Sequence, residues 1–126
     1  MTKIHEVYKC EVCGNIVEML DPGMGQMICC GKLMILMAEK EMADTGTEKH
    51  KPVISMNQGI QVNIGSVPHP MEEAHHIEWI EIIDSKGQVT RKILKPGEQP
   101  MAQFCESDLV MARGYCNIHG LWVTKK

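Results

Sequence analysis

Two β-strands and the turn between them are predicted by IEWIEIIDSKGQVTRKI, residues 77–93. Apolar residues fall at both odd and even positions of 77–83, which indicates a strand with two partly apolar faces. Residues 84–87 (DSKG) are typical of a turn, and residues 89–93 continue as the returning strand. This part of the chain is therefore expected to form an antiparallel pair of strands.

The β pattern extends to both sides of this pair. Ile60, Val62 and Ile64 alternate with polar residues, and Asn-Gln-Gly at 57–59 predicts a turn before them. Further short strands are predicted at residues 53–56, 102–105, 109–112 and 121–123. Short strands joined by glycine and proline turns predict a small antiparallel sandwich or barrel from His50 onward.

The composition excludes several classes of protein. The chain has 126 residues, a net charge of −3, 44% hydrophobic and 23% charged residues, which is typical of a globular fold. No apolar run is long enough to span a membrane, and residues 1–6 lack a signal-peptide core, so we expect a cytoplasmic protein. The acidic balance and 4% aromatic content argue against nucleic-acid binding.

The first 37 residues differ from the rest of the chain. They hold four of the six cysteines and show no continuous helical period. A segment of this size cannot fold on a hydrophobic core alone, so we expect a metal-knuckle module at 1–37. Residues 38–48 are polar and contain Gly46, and we predict that they link this module to a second domain at 49–126.

The four N-terminal cysteines have the spacing of a metal site. Cys10 and Cys13 form a C-x-x-C pair, and Cys29 and Cys30 are adjacent. Two pairs can enclose one tetrahedral ion, and both zinc and iron accept four thiolates. The adjacent pair departs from the repeated C-x-x-C of a zinc ribbon. Three interpretations remain at this point: a redox iron, a structural zinc or, against the chemistry of a reducing compartment, two disulfides.

A second set of potential metal ligands lies in the predicted β domain. It comprises four histidines and one cysteine: His50, His69, His75, Cys116 and His119. Each residue alone is a weak signal, but several lie on predicted loops or strand ends, where sites are usually built. Five ligands leave a sixth position open, unlike a structural zinc site, which closes at four. Such a set suits an iron that meets a small molecule, and a thiolate ligand raises its electron density.

The remaining histidines and the sixth cysteine are predicted to lie outside both sites. His5 is close to the N-terminus, and His76 is expected to point away from His75. Cys105 follows Phe104 in an apolar segment, so we expect it to be buried as a small hydrophobic side chain.

Together, these motifs resemble desulfoferrodoxin, the two-iron form of superoxide reductase. The resemblance covers nearly the whole chain and shows no departure at a ligand position. It rests on four motifs in order: Cys10-x-x-Cys13 with Cys29-Cys30, Glu48-Lys49-His50, His69-Pro70-Met71 through His75 to Trp79, and Cys116-Asn117-Ile118-His119-Gly120.

The resemblance implies a fold and two iron sites. It implies a desulforedoxin-like module whose four cysteines bind a rubredoxin-type iron, followed by an immunoglobulin-like β-sandwich. The four histidines would be equatorial ligands of a second iron, and Cys116 its axial ligand. Lys49 would attract superoxide and donate a hydrogen bond to the bound oxygen species. Glu48 would ligate the ferric form at the open position and leave on reduction.

The resemblance also implies an activity and partners. The expected reaction is the one-electron reduction of superoxide to hydrogen peroxide without oxygen evolution. Members of the family are cytoplasmic homodimers, re-reduced by an external donor such as a rubredoxin. Because the chain is net negative, attraction of superoxide has to be local, and Lys49 and Lys51 flank His50.

Three alternatives have different consequences. A non-catalytic iron electron carrier would not react with superoxide, and a zinc-stabilised interaction module would be colourless and redox-inactive. Neither alternative needs a five-ligand open site. A dismutase would use the same metal to oxidise superoxide as well, and it would evolve oxygen without an external reductant.

Overall fold

The structure is a computed structural model that describes residues 1–41 and 46–126. The chain divides into two compact units, Met1–Ala38 and Glu39–Lys126. Within the described residues the only α-helix is α1 (Thr47–His50), and no helix is long and apolar enough to cross a membrane. The predicted linker at 38–48 includes residues 42–45, which lie outside the described residues.

The first unit consists of short strands and turns. Its strands are β1 (Val7–Lys9), β2 (Ile16–Glu18), β3 (Ile28–Cys29), β4 (Lys32–Leu33) and β5 (Ile35–Leu36). They form an antiparallel sheet in the order β2-β1-β5 and a separate hairpin, β3-β4. Within residues 1–38, all of them described, the buried hydrophobic residues are Val7, Cys10 and Met34. A hydrophobic core this small cannot hold the unit together without a further constraint.

The second unit has seven strands among its described residues, arranged in two antiparallel sheets. They are β6 (Pro52–Met56), β7 (Ile60–Ile64), β8 (Ile77–Ile83), β9 (Val89–Ile93), β10 (Met101–Phe104), β11 (Met111–Cys116) and β12 (Gly120–Lys125). One sheet has the order β10-β7-β6 and the other β12-β11-β8-β9. Three and four antiparallel strands around one core form an immunoglobulin-like sandwich, as predicted.

Residues from both sheets build the core of the sandwich. Ile60, Val62 and Ile64 of β7 are at most 1% exposed, whereas the polar residues between them are half-buried. Strand β8 is buried on both faces except at Glu78, which agrees with its apolar residues at odd and even positions. The core cluster contains Ile60, Val62, Ile64, Ile77, Ile80, Ile82, Leu94, Ala102, Phe104, Leu109, Ala112 and Cys116.

Two details differ from the sequence-based prediction. The strand expected at 109–112 begins at Met111 and continues to Cys116. The prediction that Cys105 is buried is wrong, because its side chain is exposed. Strand β10 ends at Phe104, which points into the core, so the two-residue period of a strand directs the next residue outward.

A buried ion network crosses three neighbouring strands of the four-stranded sheet. Glu81 of β8 lies opposite Arg91 of β9 and Arg113 of β11 in the strand register. Arg113 Nε donates to Glu81 Oε1 at 2.6 Å, and Arg91 Nη2 donates to Glu81 Oε2 at 2.5 Å. Arg113 Nη1 also reaches Glu39 Oε2 at 3.1 Å. Glu81 and Arg113 are at most 1% exposed, so removing one partner leaves a buried charge that the rest of the network must compensate.

Candidate metal centres

The four cysteines of the first unit come together at one point. The sulfur atoms of Cys10, Cys13, Cys29 and Cys30 all lie within 4.8 Å of one another. Cys13 Sγ is 3.6 Å from Cys29 Sγ, and Cys29 Sγ is 3.9 Å from Cys30 Sγ. All four are free thiols. The spacing is that of ligands around a single ion and is far longer than the S–S bond of a disulfide.

Local backbone conformation explains how the adjacent pair contributes two ligands. Successive side chains of an extended chain point in opposite directions, so two neighbouring cysteines normally cannot face the same point. Cys30 adopts the left-handed conformation with φ of 54°, and Gly31 follows with φ of 74°. This turn between β3 and β4 directs the Cys30 sulfur toward the other three.

The C-x-x-C pair forms the expected knuckle. The Cys13 backbone N–H donates to Cys10 Sγ at 3.5 Å. This N–H, followed by that of Val12, lowers the pKa of the Cys10 thiol to about 6. A depressed pKa favours the thiolate, the form that binds a metal. The first unit therefore presents one thiolate donor that is preformed at neutral pH.

The five predicted ligands of the second unit also converge. Ligand atoms of His50, His69, His75, Cys116 and His119 lie within 4.8 Å of one another. They come from three places in the fold: helix α1 (His50), the loop between β7 and β8 (His69 and His75), and the end of β11 with the turn that follows it (Cys116 and His119). The sequence motifs are thus distant along the chain and adjacent in space.

Backbone carbonyl groups orient two of the histidine rings. His50 Nδ1–H donates to the Gly46 carbonyl oxygen at 2.7 Å, and His69 Nδ1–H donates to the Pro70 carbonyl oxygen at 2.6 Å. Carbonyl oxygens only accept hydrogen bonds, so both rings carry the proton on Nδ1 and present Nε2 to each other, 3.0 Å apart. Such outer hydrogen bonds fix the tautomer of metal-binding histidines.

Burial keeps these rings neutral. It lowers the pKa of His69 to about 4 and also lowers the pKa of His50 and His119. Neutral imidazole is the form that ligates a metal. His75 Nε2 is buried and has no hydrogen-bond partner. A buried polar atom without a partner is costly, and a metal ion among the five ligand atoms would satisfy it.

The thiol and the last histidine share one tight turn. The backbone N–H of His119 donates to Cys116 Sγ at 3.4 Å, and His119 Nδ1 lies 3.7 Å from the same sulfur. His119 thus points Nδ1 toward the other ligand atoms, whereas His50 and His69 point Nε2 toward them. Burial raises the pKa of the Cys116 thiol, and the His119 N–H opposes that effect. A metal cation would supply the larger stabilisation that the buried thiolate needs.

Asn117 connects two of the ligand-bearing segments. Its Nδ2 donates to the Ala74 carbonyl at 3.0 Å, and its Oδ1 accepts the His76 backbone N–H at 3.0 Å. The residue pair that contains His75 is thereby tied to the turn that contains Cys116. His76 is not among the five clustered side chains, and its Nδ1 lies 3.1 Å from the Glu72 carbonyl oxygen. The sequence motif contained Asn117, but nothing in its spacing indicated this bridging role.

Glu48 and Lys49 lie in helix α1, directly before His50. Both are exposed and line a cleft of about 460 Å³ together with all four ligand histidines. Gly65 holds the helix in place, because its N–H donates to the Lys51 carbonyl at 3.0 Å. A Cβ atom at Gly65 would approach the Glu48 carbonyl oxygen to 2.6 Å, so only glycine permits this contact.

Two residues of the cleft were not predicted from the sequence. Trp122 stacks on His50 with ring centroids 5.0 Å apart and an interplanar angle of 18°. Lys40 places its ammonium group 5.6 Å from the Trp122 ring centroid and also lines the cleft. Lys40 belongs to none of the ligand motifs and lies 79 residues before His119, whose carbonyl oxygen it contacts, so no spacing rule could have identified it.

Two sequence families match this chain. Residues 42–125 match the family described as desulfoferrodoxin, and residues 2–37 match the desulfoferrodoxin N-terminal domain. The chain belongs to the desulfoferrodoxin family. A desulfoferrodoxin homolog from Archaeoglobus fulgidus is 58% identical over 124 residues, covering 97% of this chain and 98% of the relative. The desulfoferrodoxin of Nitratidesulfovibrio vulgaris is 52% identical over 124 residues, covering 97% of each chain.

Solved structures show the same fold. The superoxide reductase from Treponema pallidum matches with a TM-score of 0.77 at 24% identity, covering 95% of this chain and 96% of that one. The superoxide reductase from Nanoarchaeum equitans matches with a TM-score of 0.52 at 29% identity, covering 65% of this chain and 94% of that one. The four-cysteine group and the four-histidine, one-cysteine group fit the two iron centres of a desulfoferrodoxin.

Proposed function

We propose that this protein is a superoxide reductase, which reduces superoxide to hydrogen peroxide with one electron and two protons per molecule. The proposal rests on one observation about the second unit. Four histidines and one cysteine bring their ligand atoms within 4.8 Å of one another beside a cleft that a lysine lines. Five ligands leave an octahedral metal one position short, and that position can accept a small anion.

The ligand roles follow from this arrangement. His50, His69, His75, His119 and Cys116 are proposed as the residues that would hold the second iron, with four imidazole ligands and one thiolate. Cys10, Cys13, Cys29 and Cys30 are proposed to ligate the first. When bound, the second iron supplies the electron for superoxide. The protein holds each imidazole in its neutral tautomer through the hydrogen bonds to the Gly46 and Pro70 carbonyls.

Lys49 is proposed to attract and orient the substrate. Superoxide is an anion and the chain carries a net charge of −3, so a local positive charge has to overcome the overall repulsion. Lys49 is exposed and lines the cleft, which allows its ammonium group to donate to an anion there. Glu48 lines the same cleft, and we propose that its carboxylate would serve as a further ligand of the iron in its oxidised form.

The reaction requires a partner that supplies electrons. Each turnover consumes one electron, so we propose an external one-electron donor such as a rubredoxin. We propose a reducing cytoplasmic location, because four cysteines have to remain thiols to bind the first iron. A homodimer, implied by the family resemblance, is proposed as the assembly.

Metal analysis and rapid kinetics test the proposal. Protein purified without oxygen should contain two irons per chain and negligible zinc. Mixed with superoxide, the reduced protein should form hydrogen peroxide and no oxygen. Zinc alone, after expression with iron available, would favour the interaction module. Two irons without any reaction with superoxide would favour the electron carrier, and oxygen evolution without a reductant would favour a dismutase.

A pair of lysine variants tests the role of Lys49. Lys49→Ala should slow superoxide capture about tenfold and weaken its dependence on ionic strength, because the charge in the cleft is lost. Lys51→Ala is the matched control, since Lys51 flanks His50 on the other side and does not line this cleft. Equal rates for the two variants would remove Lys49 from the mechanism.

A further inference from the structure

Lys40 lies beside strand β12 in the second unit. Its backbone N–H donates to the Leu121 carbonyl at 3.0 Å, and its carbonyl accepts the Val123 N–H at 2.8 Å. These bonds form a parallel bridge between Lys40 and Trp122. The backbone position of Lys40 is therefore fixed next to the turn that contains Cys116 and His119.

The Lys40 side chain reaches a ligand-bearing residue. Its Nζ donates to the His119 carbonyl oxygen at 2.9 Å. Trp122 Nε1 donates to the same oxygen at 3.3 Å. Two donors from different segments thus converge on one carbonyl group, and one of them is charged. Hydrogen bonds with a charged donor are about twice as strong as neutral ones, so Lys40 is the stronger anchor.

Lys40 and Trp122 contact the centre on two sides. The Trp122 ring stacks on His50 at 5.0 Å, and Lys40 lies over the Trp122 ring.

We propose that Lys40 is a positioning residue of the four-histidine, one-cysteine centre, anchoring the His119 carbonyl and adding one positive charge beside the ligands. A positive charge next to a metal centre favours the less positive, reduced state. Lys40 therefore raises the reduction potential of the centre and keeps it easier to re-reduce. This inference rests on the proposed function in one respect, namely that iron occupies the centre.

The test compares three lysine variants of the full chain. Lys40→Met should lower the midpoint potential of the second iron relative to the wild type, measured by its thiolate-to-iron absorption. Lys40→Arg should keep the midpoint potential close to the wild-type value, because arginine keeps both the charge and the hydrogen-bond donor. Lys92→Met is the control, since Lys92 is an exposed residue of β9 that does not line the cleft.

A second measurement uses the metal-free protein. The indole N–H resonance of Trp122 should shift in Lys40→Met and stay in place in Lys92→Met, with the Trp79 indole as internal reference. Identical potentials and identical indole resonances for Lys40→Met and Lys92→Met would overturn the inference. A wild-type protein that fails to reduce superoxide contradicts the proposed function alone, because neither measurement requires turnover. Thermal unfolding confirms that each variant folds.

Discussion

The two units of this chain differ in how much hydrophobic core accompanies the metal site. In the first unit, the four thiols converge where few apolar side chains are buried, and residues such as Ile28 and Leu33 remain exposed. In the second unit, a core made mainly of isoleucine, valine and leucine side chains is packed between the sheets, and of the five ligands it includes Cys116. The comparison indicates that metal stabilises the fold of the first unit, whereas the fold of the second unit prepares a site for metal.

Removing both metals should separate the two units most clearly. A chelator under reducing conditions is expected to unfold residues 1–38, because metal binding supplies much of the folding free energy of domains this small, about 10 kcal/mol or more in zinc fingers. Strands β7, β8 and β11 should stay folded on their own core. Hydrogen exchange read by mass spectrometry measures both regions in one sample. Protection of residues 1–38 that persists without metal would contradict the comparison.

The buried ion network offers the next largest effect. Glu81→Gln removes the charge that pairs with Arg91 and Arg113, and we expect the second unit to lose about 3 to 5 kcal/mol of stability. Glu11→Gln is the matched change in the first unit, where Glu11 meets Lys32 at 3.5 Å and both side chains are exposed. That variant should change stability by less than about 1 kcal/mol.

Urea unfolding of the iron-loaded protein measures Glu11→Gln by the visible absorption of the four-cysteine iron in the first unit, and Glu81→Gln by the tryptophan fluorescence of the second unit. Both tryptophans, Trp79 and Trp122, belong to that unit. Equal changes in unfolding free energy relative to the wild type for Glu81→Gln and Glu11→Gln would show that the network contributes no more than an exposed pair.

Asn117→Ala tests whether the second site is prepared before metal binds. The variant loses the bonds that tie the Cys116 turn to the segment of His75, and metal affinity should fall about 10- to 100-fold. Asn15→Ala is the counterpart in the first unit, where the Asn15 amide only approaches Cys29 Sγ, at 3.9 Å. Its effect on the four-cysteine iron should be smaller. Competition with a chromophoric chelator measures both affinities.

The smallest effect is expected for the pH dependence of the stability of the metal-free chain. In the metal-free chain, burial holds the pKa of His69 at about 4, below the ordinary value of 6.5. Between these values the unfolded chain binds a proton that the folded chain does not, so stability should fall as the pH drops through this range. Urea midpoints above, within and below the range measure the slope. His69→Gln should make the slope less steep, with His50 and His119 accounting for the remainder, and an unchanged slope would remove His69 from the dependence.

The β-sandwich was predictable because its signal is local. The alternation at 60–64 and the apolar residues at 77–83 specify buried strands through a two-residue period. Cys105 shows the limit of that reasoning. Its apolar neighbour suggested burial, but the exact residue at which β10 ends decided which way the side chain points.

The ligand set was predictable for a different reason. Cysteine and histidine are uncommon, and their motifs stand out without any knowledge of the fold. The residues that orient the ligands lack such a signal. Asn117 acts through contacts with the segment before β8, and Lys40 and Trp122 act through a parallel bridge at the edge of β12. Contacts between segments distant in sequence become visible only when the chain is folded.

The position of Cys116 has a consequence for the order of assembly. This thiol is fully buried and belongs to the hydrophobic core cluster, while Cys13 and Cys30 are exposed. Iron that arrives after the sandwich has closed has to wait for a local opening to reach the sulfur. Iron that arrives during folding meets no such delay. The rate at which a finished, metal-free chain takes up its second iron is therefore a measure of how often its core opens.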